Sequence, residues 1–302
     1  MSGDFSNFQD LAADSTMSDL RIFWGLLFLF GFALPALPQT DQYKFSNIDV
    51  NQGLSHNQIK CIFRDSKGFM WFGTISGLNR YDGYAIKTFR NIPGDPKSVR
   101  NSDINSLFED PDGNIWMTTW TGIDIYDPNT ETFSHDPDSY LQKLYIPDGG
   151  ISEIKKDRRG NYWFIHTSQG LFKYNVADKK TTPLFYNPLD STSLASNQIS
   201  SIAEDKQGNF WILHKNGVFE KLDGKTHTIT YRNNYLNELY DHQILDYRLT
   251  VDNDDDVWLF ISDQNEGAFY FKSVDKSLTR INKTSPVAKL NSDIVRGIVP
   301  AH

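Results

Sequence analysis

From about residue 55 onward, apolar residues come in short runs separated by clusters of Asp, Asn, Gly and Ser: Ile59 to Phe63, Phe69 to Gly73, Leu78 to Tyr81 and Ala85 to Phe89 form one such series. Runs this short, bounded by turn formers and rich in β-branched and aromatic side chains, predict strands. No window long enough for a helix carries a 3.6-residue period. The pattern also repeats. Asp-x-x-Gly-x-x-Trp occurs as Asp65, Gly68, Trp71, then Asp110, Gly113, Trp116, then Asp157, Gly160, Trp163, then Asp205, Gly208, Trp211, and a fifth copy runs from Asp252 to Trp258 with Asp255 where Gly is expected. Successive tryptophans are 45, 47, 48 and 47 residues apart, and Ile59, Ile104, Ile151 and Ile199 each precede their Trp by twelve.

The phase extends into the connections. Pro93, Asp95, Ser98 and Val99 stand before Ile104 at the offsets at which Pro188, Asp190, Ser193 and Leu194 stand before Ile199, and a Gly followed by an apolar residue comes after each Trp (Gly77, Gly122, Gly170, Gly217 and Gly267). The Asp-x-x-Gly step suits a tight turn, because Asp accepts from backbone N–H groups ahead of it and Gly tolerates positive φ. Four short strands in a unit of this length make one propeller blade. The fold class expected is therefore all-β, a β-propeller of four-stranded antiparallel blades at about 55–98, 99–146, 147–193, 194–239 and 240–289, with a partial sixth at 290–302. A tryptophan fixed once per blade is expected to fill the space between neighbouring sheets.

The stretch before the repeats reads differently. Ile22 to Leu37 is free of charge, follows Arg21 and ends among Pro35, Ala36, Pro38 and Gln39, the outline of a secretory signal. Residues 1–16 carry Asp4, Asp10 and Asp14 and no basic residue, which suits no signal, so Met17 is the expected start, with residues 1–38 an extension plus signal peptide and the propeller at 39–302. From Gln39 to His302 the chain holds about five and a half repeats. A propeller closes into a ring or leaves strand edges bare, so the sequence is expected to be truncated, with the closing blades beyond His302 and the strand near Tyr43 to Val50 pairing into the last of them.

Composition narrows the function classes. A net charge of -8 argues against a nucleic-acid partner. The single cysteine, Cys61, makes no internal disulfide and reads as a small buried hydrophobe. No nucleophile elbow, zinc-protease motif, phosphate-binding glycine loop or cysteine pair is present, and neither are the motifs of a kinase. No catalytic residue, cofactor or metal ligand is assigned. Asp252 to Asp256 resembles the opening of a calcium loop, but Val257 stands where the turn needs Gly and Asp263 where it needs Glu, so a solvated turn is expected. His166 and His214 each lie three residues after a repeat Trp and could meet across blades to hold a ligand, against the plainer reading of strand histidines satisfied by backbone. Trp120 alone among the tryptophans after residue 39 stands outside the repeat register and could stack on a sugar ring or pack between blades. Tyr140, Tyr145, Tyr235 and Tyr240 sit in the longer connections as weaker candidates.

Ser55-His56-Asn57-Gln58-Ile59, Trp71-Phe72-Gly73-Thr74 and Gly77-Leu78-Asn79-Arg80-Tyr81-Asp82-Gly83 resemble the two-component regulator propeller repeat over roughly residues 43 to 302. The resemblance implies the periplasmic sensor region of a Bacteroidetes-type hybrid histidine kinase, with an oligosaccharide as ligand and none of the intracellular parts in this chain. It further implies attachment to the inner membrane only through missing C-terminal parts or an uncleaved signal, and a homodimer when full length. A secreted propeller lyase or glycosidase and a passive scaffold for protein contacts are the competing readings.

Overall fold

The computed structural model describes residues 47–299 except 263 and 287. The extension and signal segment, and Tyr43 to Ser46 of the strand expected there, lie outside the described residues. Asn47 to Asp49 form no strand, and Val50–Gln52 is a single 3₁₀ turn capped by Asp49. Ile48–His302 is a compact unit of its own. Among the described residues no helix is long and apolar enough to cross a membrane.

Among the described residues, twenty strands form five four-stranded antiparallel sheets, each in simple sequential order. Blade one holds β1 (Ile59–Arg64), β2 (Met70–Thr74), β3 (Gly77–Tyr81) and β4 (Ile86–Phe89). Blade two holds β5 (Ile104–Glu109), β6 (Ile115–Thr119), β7 (Gly122–Asp127) and β8 (Thr132–Ser134). Blade three holds β9 (Ile151–Lys156), β10 (Tyr162–His166), β11 (Gly170–Asn175) and β12 (Lys180–Leu184). Blade four holds β13 (Ile199–Glu204), β14 (Phe210–His214), β15 (Phe219–Leu222) and β16 (Ile229–Asn233). Blade five holds β17 (Tyr247–Val251), β18 (Val257–Ile261), β19 (Ala268–Lys272) and β20 (Ser277–Ile281). Two connections fold into short helices that the periodicity did not indicate, Pro137–Lys143 and Tyr235–Leu239, each too short for an apolar period to register. Leu290 to Val299, expected to open a sixth blade, forms no strand and instead lines a cleft of about 670 Å³ beside Trp258.

The Asp-x-x-Gly step is the β1–β2 turn and its equivalents. Asp65 Oδ1 accepts from the N–H groups of Lys67 and Phe69 at 3.0 and 2.9 Å, and the same oxygen of Asp110, Asp157, Asp205 and Asp252 does so two and four residues ahead. The glycine closes the turn at a φ of 81–92° in the first four blades, and in blade five Asp255 takes the same left-handed conformation at 62°, a strained position for a residue with a Cβ. The other carboxylate oxygen reaches the repeat tryptophan. Indole Nε1 donates to it at 2.7 Å in Trp71, 2.8 Å in Trp116, 3.0 Å in Trp163 and 3.0 Å in Trp258.

Each of the first four indoles is buried against the following blade. Trp71 packs with Ile104, Ile115 and Met117; Trp116 with Ile151, Tyr162 and Phe164; Trp163 with Ile199, Phe210 and Ile212; Trp211 with Tyr247, Val257 and Leu259. The partners are one set of positions carried round, so the like surroundings expected of the repeat are present at four seams. Trp258, at the cleft, stays half-buried.

A polar stitch accompanies the apolar seam. Ser66 donates its N–H and hydroxyl to Glu109 at 2.9 and 2.6 Å, Arg158 N–H to Glu204 at 2.9 Å, and Lys206 N–H to Asp255 at 2.8 Å, each across a seam. At the seam between blades two and three the donor position is Pro111, which has no N–H, and the acceptor position is Lys156. Removing the Asp110 side chain, itself fully buried, strips four hydrogen bonds, from Asp112 and Asn114 N–H, Asn114 Nδ2 and Trp116 Nε1. Asp110→Ala is therefore expected to lower the free energy of unfolding by about 3 kcal/mol, while Glu109→Ala, which loses only the more exposed stitch, lowers it by about 1 kcal/mol. Urea unfolding of the two variants measures this, and equal losses would show that the turn and the stitch are not of different rank.

Candidate functional site

The turns between the second and third strands, and the connections leading into each first strand, lie at the opposite strand ends from the Asp-x-x-Gly turns. In blades one, two and four a buried polar side chain on the third strand fixes this connection. Asn79 Oδ1 accepts from Ser55 N–H at 2.8 Å, Asp124 Oδ2 from Arg100 N–H at 2.6 Å, and Glu220 Oε1 from Ala195 N–H at 3.1 Å. The three occupy one position, opposite Phe72, Met117 and Ile212. In blade three that position is Phe172 and the residue that would donate is Pro147, so donor and acceptor are missing together.

The two charged latches are neutralised locally. Asp124 meets Arg100 Nε at 3.2 Å and His135 Nδ1 at 2.8 Å, and Glu220 meets Arg232 Nε at 2.8 Å and His214 Nε2 at 2.7 Å. His166 and His214, both fully buried, are each bonded inside their own blade and not to one another. His166 Nδ1 accepts from the N–H groups of Ser168 and Gln169, so its proton is on Nε2, which donates to Asp148 O at 2.9 Å. His214 is held by Glu220, a carboxylate six residues on that the repeat spacing does not bring out. Among the described residues no group of three His, Cys, Asp or Glu is placed to hold a metal ion. Burial pushes the Cys61 thiol up to about 11, so this half-buried cysteine is no nucleophile at neutral pH.

Trp120 stands apart from all of these. It is 76% exposed on the β6–β7 turn, the most exposed of the described tryptophans. The turn is tied by Thr119 Oγ1, which donates to Gly122 O at 3.0 Å and accepts from Thr121 N–H at 3.2 Å. The indole Nε1 donates to Asp103 Oδ2 at 2.9 Å, and Asp103 Oδ1 pairs with Lys60 Nζ at 2.5 Å. Lys60 Nζ lies 5.7 Å from the ring centroid and also donates to Asn105 Oδ1 at 2.9 Å. The ring is thus held on one edge with area open to solvent, an arrangement that lowers the ordering cost of stacking on a ligand. Lys60, Asp103 and Asn105 were not singled out in the sequence, though Lys60 and Asn105 directly follow the phase-keeping Ile59 and Ile104 and carry a charged or amide side chain there. Tyr140 is instead a seam residue, edge-on to Trp116 at 5.5 Å, and Tyr240 packs on Tyr247 and donates to Glu266 at 2.9 Å. Tyr145 and Tyr235 are exposed with no neighbouring cluster of this kind described.

The buried Glu220 sets a pH dependence. Burial opposes its ionisation, but hydrogen bonds and charge from His214, Ala195 N–H and Arg232 outweigh it and hold the carboxyl below the usual glutamate range. A carboxyl depressed in the folded state contributes stability that is present above its unfolded value of about 4.3 and lost as pH falls through the folded one. The melting temperature of the wild type is expected to fall more steeply than that of Glu220→Gln on acidification below that value, with the variant the less stable at pH 7. Parallel melting curves across that range would remove the latch carboxylate as the cause.

Comparison with known proteins agrees with this architecture. The family described as Two component regulator propeller matches residues 53–76, 98–121 and 193–216, which bracket the first two strands of blades one, two and four. A curated relative, Histidine kinase P4 of Formosa agariphila, is 34% identical over 83 residues, which is 28% of this chain and 6% of that protein. The extracellular domain of a putative one component system from B. thetaiotaomicron superposes with a TM-score of 0.53 at 24% identity, covering 77% of this chain and 32% of that one. The extracellular domain of a putative hybrid two component system from the same organism gives a TM-score of 0.48 at 20% identity, over 84% and 39% of the two chains. The chain therefore spans well under half the length of these relatives. With matched repeats in three blades and their Asp and Trp carried in phase through five, the chain carries two component regulator propeller repeats.

Proposed function

We propose that this chain is the ligand-sensing propeller portion of an extracytoplasmic sensor, that it binds an oligosaccharide, and that the kinase activity of such a system belongs to other parts. The repeats and the partial kinase relative support the sensor class. The observation that carries the ligand class is Trp120, an indole held on its edge by Asp103 and presented to solvent on a rigid turn, with acceptors and a cationic donor around it. Sugar rings offer an apolar C–H face to an aromatic ring and hydroxyls to the groups at its rim. Sensing asks for no bond making: a ligand that binds two arrangements unequally shifts their populations. The export signal read at Ile22 to Leu37 supports a periplasmic location, where such sugars arrive.

A thermal-shift screen of the full chain against oligosaccharides tests the reading. A saccharide binding only the folded state at a hundredfold excess over its Kd stabilises by about 2.7 kcal/mol and is expected to raise the melting temperature by several degrees. Turnover of the saccharide during the incubation would favour a lyase or glycosidase, and a flat response to every saccharide would favour a scaffold for protein contacts.

A further inference from the structure

The first strands of four blades carry a register shift immediately after their opening isoleucine, at Ile59/Cys61, Ile104/Ser106, around Ser152 and at Ile199/Ser201. The residue left over is Lys60, Asn105, Ser152 or Ser200. A bulge of this kind re-aims one side chain out of the ladder. In blade three Ser152 turns back to Ile165 O, and in blade four Ser200 crosses to Tyr247 O. At the first seam both partners are long and polar: Lys60 of blade one reaches Asn105 of blade two, and Asp103 and Trp120, also of blade two, complete the group.

Resting on the oligosaccharide reading above, we infer that Lys60, Asp103, Asn105 and Trp120 form one sugar subsite across the seam of blades one and two, and that it selects a neutral pyranose presenting adjacent hydroxyls. The charge arithmetic of the cluster decides the class. The ammonium has three donors: Asn105 takes one, the charge is paired with Asp103 Oδ1, and a donor is left for a ligand. Asp103 Oδ1 is buried against the ammonium as an ion pair, while Oδ2 accepts from Trp120 Nε1 and keeps a lone pair. A diol matches what remains: one hydroxyl oxygen accepts from Lys60 while its neighbour donates to Asp103 Oδ2, and the ring face lies on Trp120. An acidic sugar would face the Asp103 carboxylate and gain Lys60 only by disrupting a 2.5 Å ion pair, on a protein already carrying a net charge of -8. A sugar so held touches groups anchored in two blades, so occupancy braces the seam.

The test is a fluorescence and calorimetric titration of the full chain with cellotetraose, xylotetraose and mannotetraose, against tetragalacturonate and a chondroitin disaccharide. At least one neutral saccharide is expected to bind, at least tenfold tighter than either acidic one. Trp120→Ala and Lys60→Met are each expected to weaken it at least tenfold, with Lys60→Arg retaining part of the affinity. All three changes are at solvent-facing positions, and unchanged melting curves of the free variants show that folding is not the cause. Preference for the acidic saccharides, or binding indifferent to both substitutions, overturns the subsite while leaving the sensor reading in place. Silence with every saccharide overturns both.

Discussion

One carboxylate per blade does two jobs, and the propeller rests on their being done by the same group. Through Oδ1 the repeat Asp closes the first turn of its own sheet, and through Oδ2 it fixes the indole that fills the seam to the next sheet. A buried carboxylate is costly unless its lone pairs are used, and here three or four N–H donors use them. The indole, in turn, can be buried because its one donor is satisfied. Local turn geometry and inter-blade packing are therefore coupled, and neither is free to drift alone. Blade four shows how far the arrangement tolerates change: Lys221 Nζ takes Asp205 Oδ2 at 2.7 Å and lies 5.0 Å from the ring centre of Trp211, whose Nε1 is left with no bond. The cation stacked on the ring stands in for the missing N–H contact, and the seam remains packed.

Two exceptions are paired, which marks the bonds as specific. Where Pro111 removes the N–H of the stitch, Lys156 replaces the carboxylate that would receive it; where Pro147 removes the N–H of the latch, Phe172 replaces its acceptor. An acceptor left alone in either place would be a desolvated charge without a partner. In blade five the acceptor moves: Val251 occupies the place of Glu109 and Glu204, and Asp255, already forced into the left-handed turn position, provides the carboxylate for Lys206. The strain at Asp255 thus coincides with a bond that glycine could not supply. The same accounting explains the acidic run Asp252 to Asp256, whose members cap the turn, stitch the seam and hold Tyr270 and Ser273.

Much of this was legible in the sequence because it repeats. The in-phase Asp, Gly, Trp and Ile positions defined strands, turns and seams, since the same local problem is solved four times with the same residues and a fifth time with Asp and Trp kept. The latches and stitches were not legible. Asn79, Asp124 and Glu220 are chemically unlike, and only the register of the third strand shows them to be one position. The short helices at Pro137 and Tyr235 come from connections that do not repeat. His166 and His214 share a strand position, yet their environments differ because one is answered by a backbone carbonyl and the other by a glutamate.

The candidate site follows from the same logic turned round. A side chain used by every blade serves the fold, whereas one that breaks the pattern and stays exposed is not accounted for by the fold. Trp120 breaks the pattern on a turn that the Thr119 hydroxyl already closes, so the indole is not needed to hold the turn. Lys60 and Asn105 occupy a bulge that serine fills at later seams with a single bond. The extra reach of these two residues converts a structural bulge into a polar cluster beside an exposed ring. Rigid scaffolds display function on their loops, and here the rigidity comes from the turns at the far ends of the strands. The Asp–Trp bonds that hold the blades together are what keep Lys60 and Asn105, from two different sheets, within reach of each other.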